Sequence, residues 1–109
     1  GPQSISKSII NEPLKKGMII SNEPGYYREG SFGIRIENLI FVKDSKYENF
    51  LEFETLTMFP YERDLIDLSK LSRTHIDWLN KYHKSVFQNL KKFLDTDTRK
   101  WLFEKTLPI

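Results

Sequence analysis

The sequence has no cysteine among its 109 residues. Disulfides, thiolate metal ligands and cysteine nucleophiles are therefore excluded for this chain. A chain without cysteine fits a reducing compartment, and we expect the protein to be cytoplasmic.

Histidine is scarce too, and the common catalytic signatures are missing. The only two histidines, His75 and His83, lie eight residues apart on one predicted helix. A helical zinc motif places them four apart, so we predict that both are packed or surface residues of the helix. We find no Gly-x-Ser-x-Gly motif, phosphate loop or dinucleotide fingerprint.

The charge balance and the hydrophobic runs exclude further classes of partner. The chain has 17 basic and 15 acidic residues and a formal net charge of +2. This near balance gives no reason to expect nucleic acid or an anionic membrane as a partner. No apolar run approaches the ~18 residues of a membrane span.

The residues that are present fall into two regions of different periodicity. Positions 18–60 read as short strands separated by turns, and positions 71–107 read as helices. We therefore predict an α+β fold of antiparallel strands followed by helices. The expected division is 1–60 for the strands and 61–109 for a helical extension.

Local signals predict the bounds of individual elements. Strands are expected at 18–23, at 33–42 and at 50–59, where Pro60 ends the last one. Ser72 or Thr74 would cap the main helix, and Asp97 would cap a short final helix. The apolar positions of the main helix form one stripe: Ile76, Leu79, Val86, Phe87, Leu90, Phe93 and Leu94.

Two carboxylates stand out because each ends a run of apolar strand residues. Glu23 and Glu37 have thirteen residues between them, which allows adjacent antiparallel strands that present both side chains on one face. A carboxylate in such a place is costly unless it is paired or bound to a metal. Two oxygen donors make part of a hard-metal site. The alternative is a structural salt bridge, because Arg35 shares the face of Glu37.

Two long motifs in the first half carry a family resemblance. Gly17-Met-Ile-Ile-Ser-Asn-Glu-Pro-Gly-Tyr-Tyr27 and Gly33-Ile-Arg-Ile-Glu-Asn38 closely resemble the pita-bread metallopeptidases, in the form of the Xaa-Pro aminopeptidases (aminopeptidase P). The resemblance continues through Leu51-Glu-Phe-Glu-Thr-Leu-Thr57 and Trp78-Leu-Asn-Lys-Tyr-His83 to Thr106-Leu-Pro-Ile109. Thr55 departs from it, since relatives usually have proline there.

The resemblance implies a dimetal site to which this chain contributes only part. Glu23 would bind one divalent metal and Glu37 would bridge two, with Arg35 holding both carboxylates in place. The metals are expected to be manganese, with zinc or cobalt possible. The two aspartates and the histidine that complete the set would lie upstream of Gly1. We therefore assign no catalytic residue to this chain and expect it to be inactive alone.

The activity that the resemblance implies is hydrolysis of the peptide bond between an N-terminal residue and a following proline. It also implies a homodimer formed through the C-terminal region, and a chain that is the C-terminal portion of a longer enzyme. Three alternatives stay open: a noncatalytic binding or scaffold module of the same fold, a prolidase-like dipeptidase, and an unrelated interaction domain.

Overall fold

The computed structural model describes residues 3–6 and 11–109. The chain forms two compact units, Gly1–Thr57 and Met58–Ile109. The first holds all five described strands and the second holds both described α-helices.

The strand unit contains a three-stranded and a two-stranded antiparallel sheet. The strands are β1 (Ile19–Asn22), β2 (Gly25–Arg28), β3 (Phe32–Arg35), β4 (Asn38–Asp44) and β5 (Leu51–Thr55). The larger sheet has the order β1-β4-β5, and β2 pairs with β3 in the smaller one. Strand β4 shows the expected alternation, because Asn38, Ile40 and Val42 are buried while Leu39 between them is exposed.

The two sheets share one continuous register along the hairpin. Asn22 pairs with Asn38 at the end of the β1–β4 ladder, and Gly25 pairs with Arg35 where the β2–β3 ladder begins. Between these pairs the Ile36 amide donates to the Pro24 carbonyl oxygen at 3.1 Å. Proline has no N–H to return a second bond. The ladder is therefore interrupted here, but its register does not change. We call positions 19–44 the ribbon.

The structure corrects two predicted strand bounds. The single strand expected at 33–42 is wrong, because β3 ends at Arg35 and β4 begins at Asn38. Pro24 on the facing strand accounts for the break. The strand expected at 50–59 is also too long, since β5 ends at Thr55. After β5, the Thr57 hydroxyl accepts a hydrogen bond from the Leu39 amide at 2.8 Å.

The helical unit is built from α1 (Arg73–Leu90) and α2 (Thr96–Lys105), with short 3-10 turns at Arg63–Leu65, Leu68–Lys70 and Lys91–Phe93. Ser72 caps α1 by accepting a hydrogen bond from the His75 amide at 3.3 Å. Asp95 caps α2 by accepting one from the Thr98 amide at 2.9 Å, so the prediction of Asp97 is wrong.

The core of this unit forms where α1 meets α2. Tyr82, Val86 and Leu102 are its buried centre. Around them pack Met58, Tyr61, Phe87, Leu90 and Leu94. The Tyr82 hydroxyl donates to the Phe59 carbonyl oxygen at 2.8 Å, which satisfies its polar end. One member of the predicted stripe is misplaced: Phe93 lies in the 3-10 turn after α1 and is 73% exposed. No helix within the described ranges is long and apolar enough to cross a membrane.

Candidate metal-ligand site on the ribbon

The register that continues across the interruption places the two predicted carboxylates opposite each other. Glu23 follows the end of β1 and Glu37 precedes the start of β4, each one step beyond the Asn22–Asn38 pair. Carrying the register forward by that step makes Glu23 and Glu37 cross-strand neighbours. Side chains directly opposite in an antiparallel pair lie close enough to interact.

Arg35 lies between the two carboxylates and contacts both of them. Its Nη1 atom forms an ion pair with Glu23 Oε2 and lies 3.7 Å from Glu37 Oε2. The three side chains are 43–49% exposed in this chain. Two carboxylates and one guanidinium leave this group with a formal net charge of −1.

Two further side chains on the ribbon fix this group. The Ser21 hydroxyl donates a hydrogen bond to Glu23 Oε1 at 2.7 Å. The Arg35 Nε–H group donates to the Tyr27 hydroxyl oxygen at 3.1 Å. This hydrogen bond, together with the charges of Glu23 and Glu37, raises the pKa of Arg35. Glu23 thus has one oxygen held by a hydroxyl and the other by a guanidinium.

All of these residues share one face of the ribbon. Successive side chains of a strand point to opposite faces. Ser21, Glu23 and Tyr27 are even-numbered steps apart along one strand path, and Arg35 and Glu37 are two apart along the facing one. The contacts among them show that they meet on the same face. The opposite face carries a separate aromatic contact, in which the Tyr26 and Phe32 rings lie 6.0 Å apart.

A cavity of about 570 Å³ borders the first carboxylate. Its wall includes Ser21, Glu23 and Pro24 of the ribbon and the short segment 3–6. Glu23 is therefore part of the wall of this cavity.

The donor set fits part of a divalent-metal site. Its carboxylate oxygens are the ligands that hard cations prefer. Among residues 3–6 and 11–109, however, no three histidine, cysteine, aspartate or glutamate side chains converge as a metal site would require. The structure thus brings together Glu23, Glu37 and Arg35, and further ligands would have to come from elsewhere. Ligation of a metal by Glu23 and Glu37 stays a prediction, and so does the supporting role of Arg35.

The two histidines occupy the structural positions predicted for them. His75 is exposed on α1, whereas His83 is fully buried. His83 Nε2 accepts a hydrogen bond from the Tyr61 amide at 3.1 Å. Burial, followed by the nearby charge of Arg63, lowers the pKa of His83.

Sequence reasoning did not find Ser21 or Tyr27 as parts of the site. The signal was nevertheless present, because both lie at even spacing from Glu23 on the same strand path. What the sequence could not indicate is that the ribbon keeps one register across Pro24.

Comparisons with known proteins identify the family of this chain. A family model described as the C-terminal region of peptidase M24 matches residues 49–109, and one described as metallopeptidase family M24 matches residues 1–44. The chain belongs to the M24 metallopeptidase family.

Two aminopeptidases are similar to this chain over its whole length. Aminopeptidase P2 of Arabidopsis thaliana is 47% identical over 100% of this chain and 16% of its own length. A probable Xaa-Pro aminopeptidase P of Coprinopsis cinerea is 44% identical over 100% of this chain and 19% of its own length. The chain therefore spans less than a fifth of the length of these relatives.

A solved structure supports the predicted fold class. The X-prolyl aminopeptidase of Caenorhabditis elegans, described as a cytosolic enzyme with a di-nuclear active site, matches with a TM-score of 0.84 and 36% identity. The match covers 100% of this chain and 19% of the C. elegans protein. This confirms the predicted α+β fold, the C-terminal part of a pita-bread domain in which antiparallel strands precede helices.

Proposed function

We propose that this chain supplies two ligands to the dimetal centre of an Xaa-Pro aminopeptidase, which removes an N-terminal residue that precedes proline. The observation that carries the proposal is the cross-strand pair of Glu23 and Glu37 with Arg35 between them. The names of the relatives, and the di-nuclear site of the C. elegans protein, supply the reaction class.

Each residue of the site has a defined part in this proposal. Glu23 would bind one of two divalent ions, and Glu37 would bridge both. Two aspartates and one histidine from another part of the longer protein would complete the set. We propose manganese as the metal, with zinc and cobalt as the alternatives. When bound, such ions lower the pKa of a water molecule and stabilise the developing oxyanion.

The chain's own residues hold the ligands in place before the metal arrives. Arg35 offsets the repulsion between two carboxylates that face each other, and its contacts with both fix their separation. Ser21 orients the Glu23 carboxylate, because one of its oxygens accepts the Ser21 hydroxyl hydrogen. Loss of a partner of this kind typically lowers metal affinity or activity by about 10- to 100-fold.

The helical unit supports an assembly role within the same proposal. Trp78, Trp101 and Phe103 remain 43–50% exposed on it in this chain. Large aromatic side chains are enriched in protein interfaces. We propose that this unit contributes to a homodimer, and that the enzyme acts in the cytoplasm, as the C. elegans relative is described to do.

The test is peptide hydrolysis by the full-length protein with added manganese. We expect cleavage of Arg-Pro-Pro after arginine, little cleavage of Arg-Ala-Pro, and loss of activity in Glu37→Gln. The 109-residue chain alone should be inactive. Preference for the dipeptide Arg-Pro over Arg-Pro-Pro would indicate a prolidase-like dipeptidase instead. A full-length protein inert with all three metals would favour a noncatalytic module.

A further inference from the structure

The side of the ribbon that carries the carboxylates also carries two glycines, and the ring of Tyr27 lies across both. Gly25 precedes Tyr27 by two residues, and Gly33 is its cross-strand partner. A Cβ atom at Gly25 would lie 2.8 Å from the Tyr27 hydroxyl oxygen. At Gly33 it would lie 2.7 Å from Cδ1 of the same ring. Contacts this short essentially do not occur, so neither position accepts a side chain while the ring stays in place.

Backbone conformation does not explain these glycines. Positive φ angles occur at Gly17 and Gly30 among the described glycines, whereas Gly25 and Gly33 lie in regular strands. Glycine in the interior of a strand weakens it, because it costs more conformational entropy and provides no side chain to pack. Alanine at either position would thus stabilise the strand. Glycine is required there only if the Tyr27 ring has to occupy the space of the added side chain.

The position of the ring matters because of where its hydroxyl group lies. Flat on the ribbon, Tyr27 brings its hydroxyl oxygen 3.1 Å from Arg35 Nε, while Arg35 Nη1 contacts Glu23 and Glu37. The ring is 64% exposed, so it can swing away at little cost to the fold. An added methyl group would displace the ring, and Arg35 would lose one of its three contacts.

We propose that Gly25 and Gly33 are positioning residues, which keep Tyr27 flat on the ribbon so that Arg35 holds the two carboxylates in a metal-ready arrangement. This inference rests on the proposed function of Glu23 and Glu37 as metal ligands. Substitution of these glycines should weaken the positioning of the ligands while fold stability is kept. Substitution of a glycine with a purely structural role would lower both together.

The test compares Gly33→Ala with wild type in the full-length protein, by calorimetric titration of the metal-free enzyme with manganese, by kcat/KM on Arg-Pro-Pro, and by thermal melting. We expect manganese affinity and kcat/KM to fall about 10-fold or more, with a melting temperature equal to or above that of wild type. Gly25→Ala should behave in the same way. Wild-type affinity and kcat/KM in both variants would overturn the inference, and so would losses that merely follow a lowered melting temperature.

A double-mutant comparison assigns the effect to the ring. In a Tyr27→Ala background the methyl group of Gly33→Ala no longer meets the ring, so it should lower affinity by less than about 2-fold further. Effects that multiply would show that Gly33 acts independently of Tyr27, against the inference. Tyr26→Phe, on the opposite face of the ribbon, is the matched control. Wild-type protein that neither binds manganese nor cleaves the peptide would instead reject the proposed function.

Discussion

Replacement of Arg35 is the perturbation that tests the site most informatively, because one side chain contacts three groups. Its Nη1 atom serves both carboxylates, and its Nε atom donates to Tyr27. Lysine keeps the positive charge but offers a single ammonium group, which cannot reproduce this planar set of donors. Arg35→Lys therefore separates the effect of charge from that of geometry, and Arg35→Ala removes both.

The expected magnitude follows from what these contacts do. Loss of a hydrogen-bonding partner behind metal ligands typically lowers metal affinity or activity by about 10- to 100-fold. Arg35→Lys loses the simultaneous contact with Tyr27 and the carboxylates, so we expect a loss near the lower end. Arg35→Ala also leaves Glu23 and Glu37 facing each other without a cation, so we expect a loss near the upper end or beyond it.

The assay is calorimetric titration of the metal-free full-length protein with manganese, together with kcat/KM on Arg-Pro-Pro. Arg28→Lys is the matched control, because Arg28 lies on β2 of the same ribbon but points to the opposite face. We expect it to stay within about 2-fold of wild type. Wild-type manganese affinity and kcat/KM in Arg35→Lys would refute the claim that the guanidinium geometry organises the ligands.

Two further predictions concern the helical unit in the full-length protein. Leu102→Ala should destabilise this unit by about 2–5 kcal/mol, because Leu102 is 2% exposed. Leu65→Ala, at a residue 68% exposed, should cost less than about 0.5 kcal/mol. Equal shifts of the denaturant midpoint in the two variants would contradict the assignment of Leu102 to the core. His83 should add a pH dependence, because its pKa is lowered from the ordinary value of about 6.5 in the folded state. The unfolded chain then binds the proton more readily, so the stability from His83 is complete above pH 6.5 and is lost as the pH falls from there to the lowered value. The melting temperature should accordingly drop more between pH 7.5 and 5.5 in wild type than in His83→Gln. His75→Gln, at an exposed histidine, should behave like wild type. The same drop in all three proteins would contradict a pH dependence that comes from His83.

The carboxylate pair was predictable from its position at the ends of two apolar strand runs, and the spacing of Glu23 and Glu37 allowed adjacent strands. The cost that a buried charge would carry is smaller than expected, because the two side chains are 43% and 49% exposed in this chain. The observed register of β1 and β4 confirms that adjacency. The salt bridge between Arg35 and the two carboxylates, which was the alternative to a metal site, is present as well. The two interpretations are compatible, because under the proposed function the same Arg35 contacts would hold both carboxylates in place for the metals.

Other features could not be predicted because their cause lies on a different strand or in a shift of helical phase. Residues 33–42 read as one strand since their own sequence contains no break; the interruption comes from Pro24 opposite them. Phe93 fits the helical stripe, but α1 ends at Leu90 and the following 3-10 turn rotates Phe93 outward. Asp95 and Asp97 are equally good caps by type, and Thr98 favours Asp95, because its hydroxyl also donates to that carboxylate at 2.8 Å.

The most direct test of the central claim is the metal content of the full-length protein, determined by mass spectrometry after loading with manganese and removal of free ions. Wild type should retain two ions per chain, Glu23→Gln at most one, and Glu37→Gln none. Glu29→Gln, near the tip of the ribbon between β2 and β3, should retain both. Two ions retained in Glu37→Gln would contradict the account, because the carboxylate between the metals would then not be the one on this ribbon.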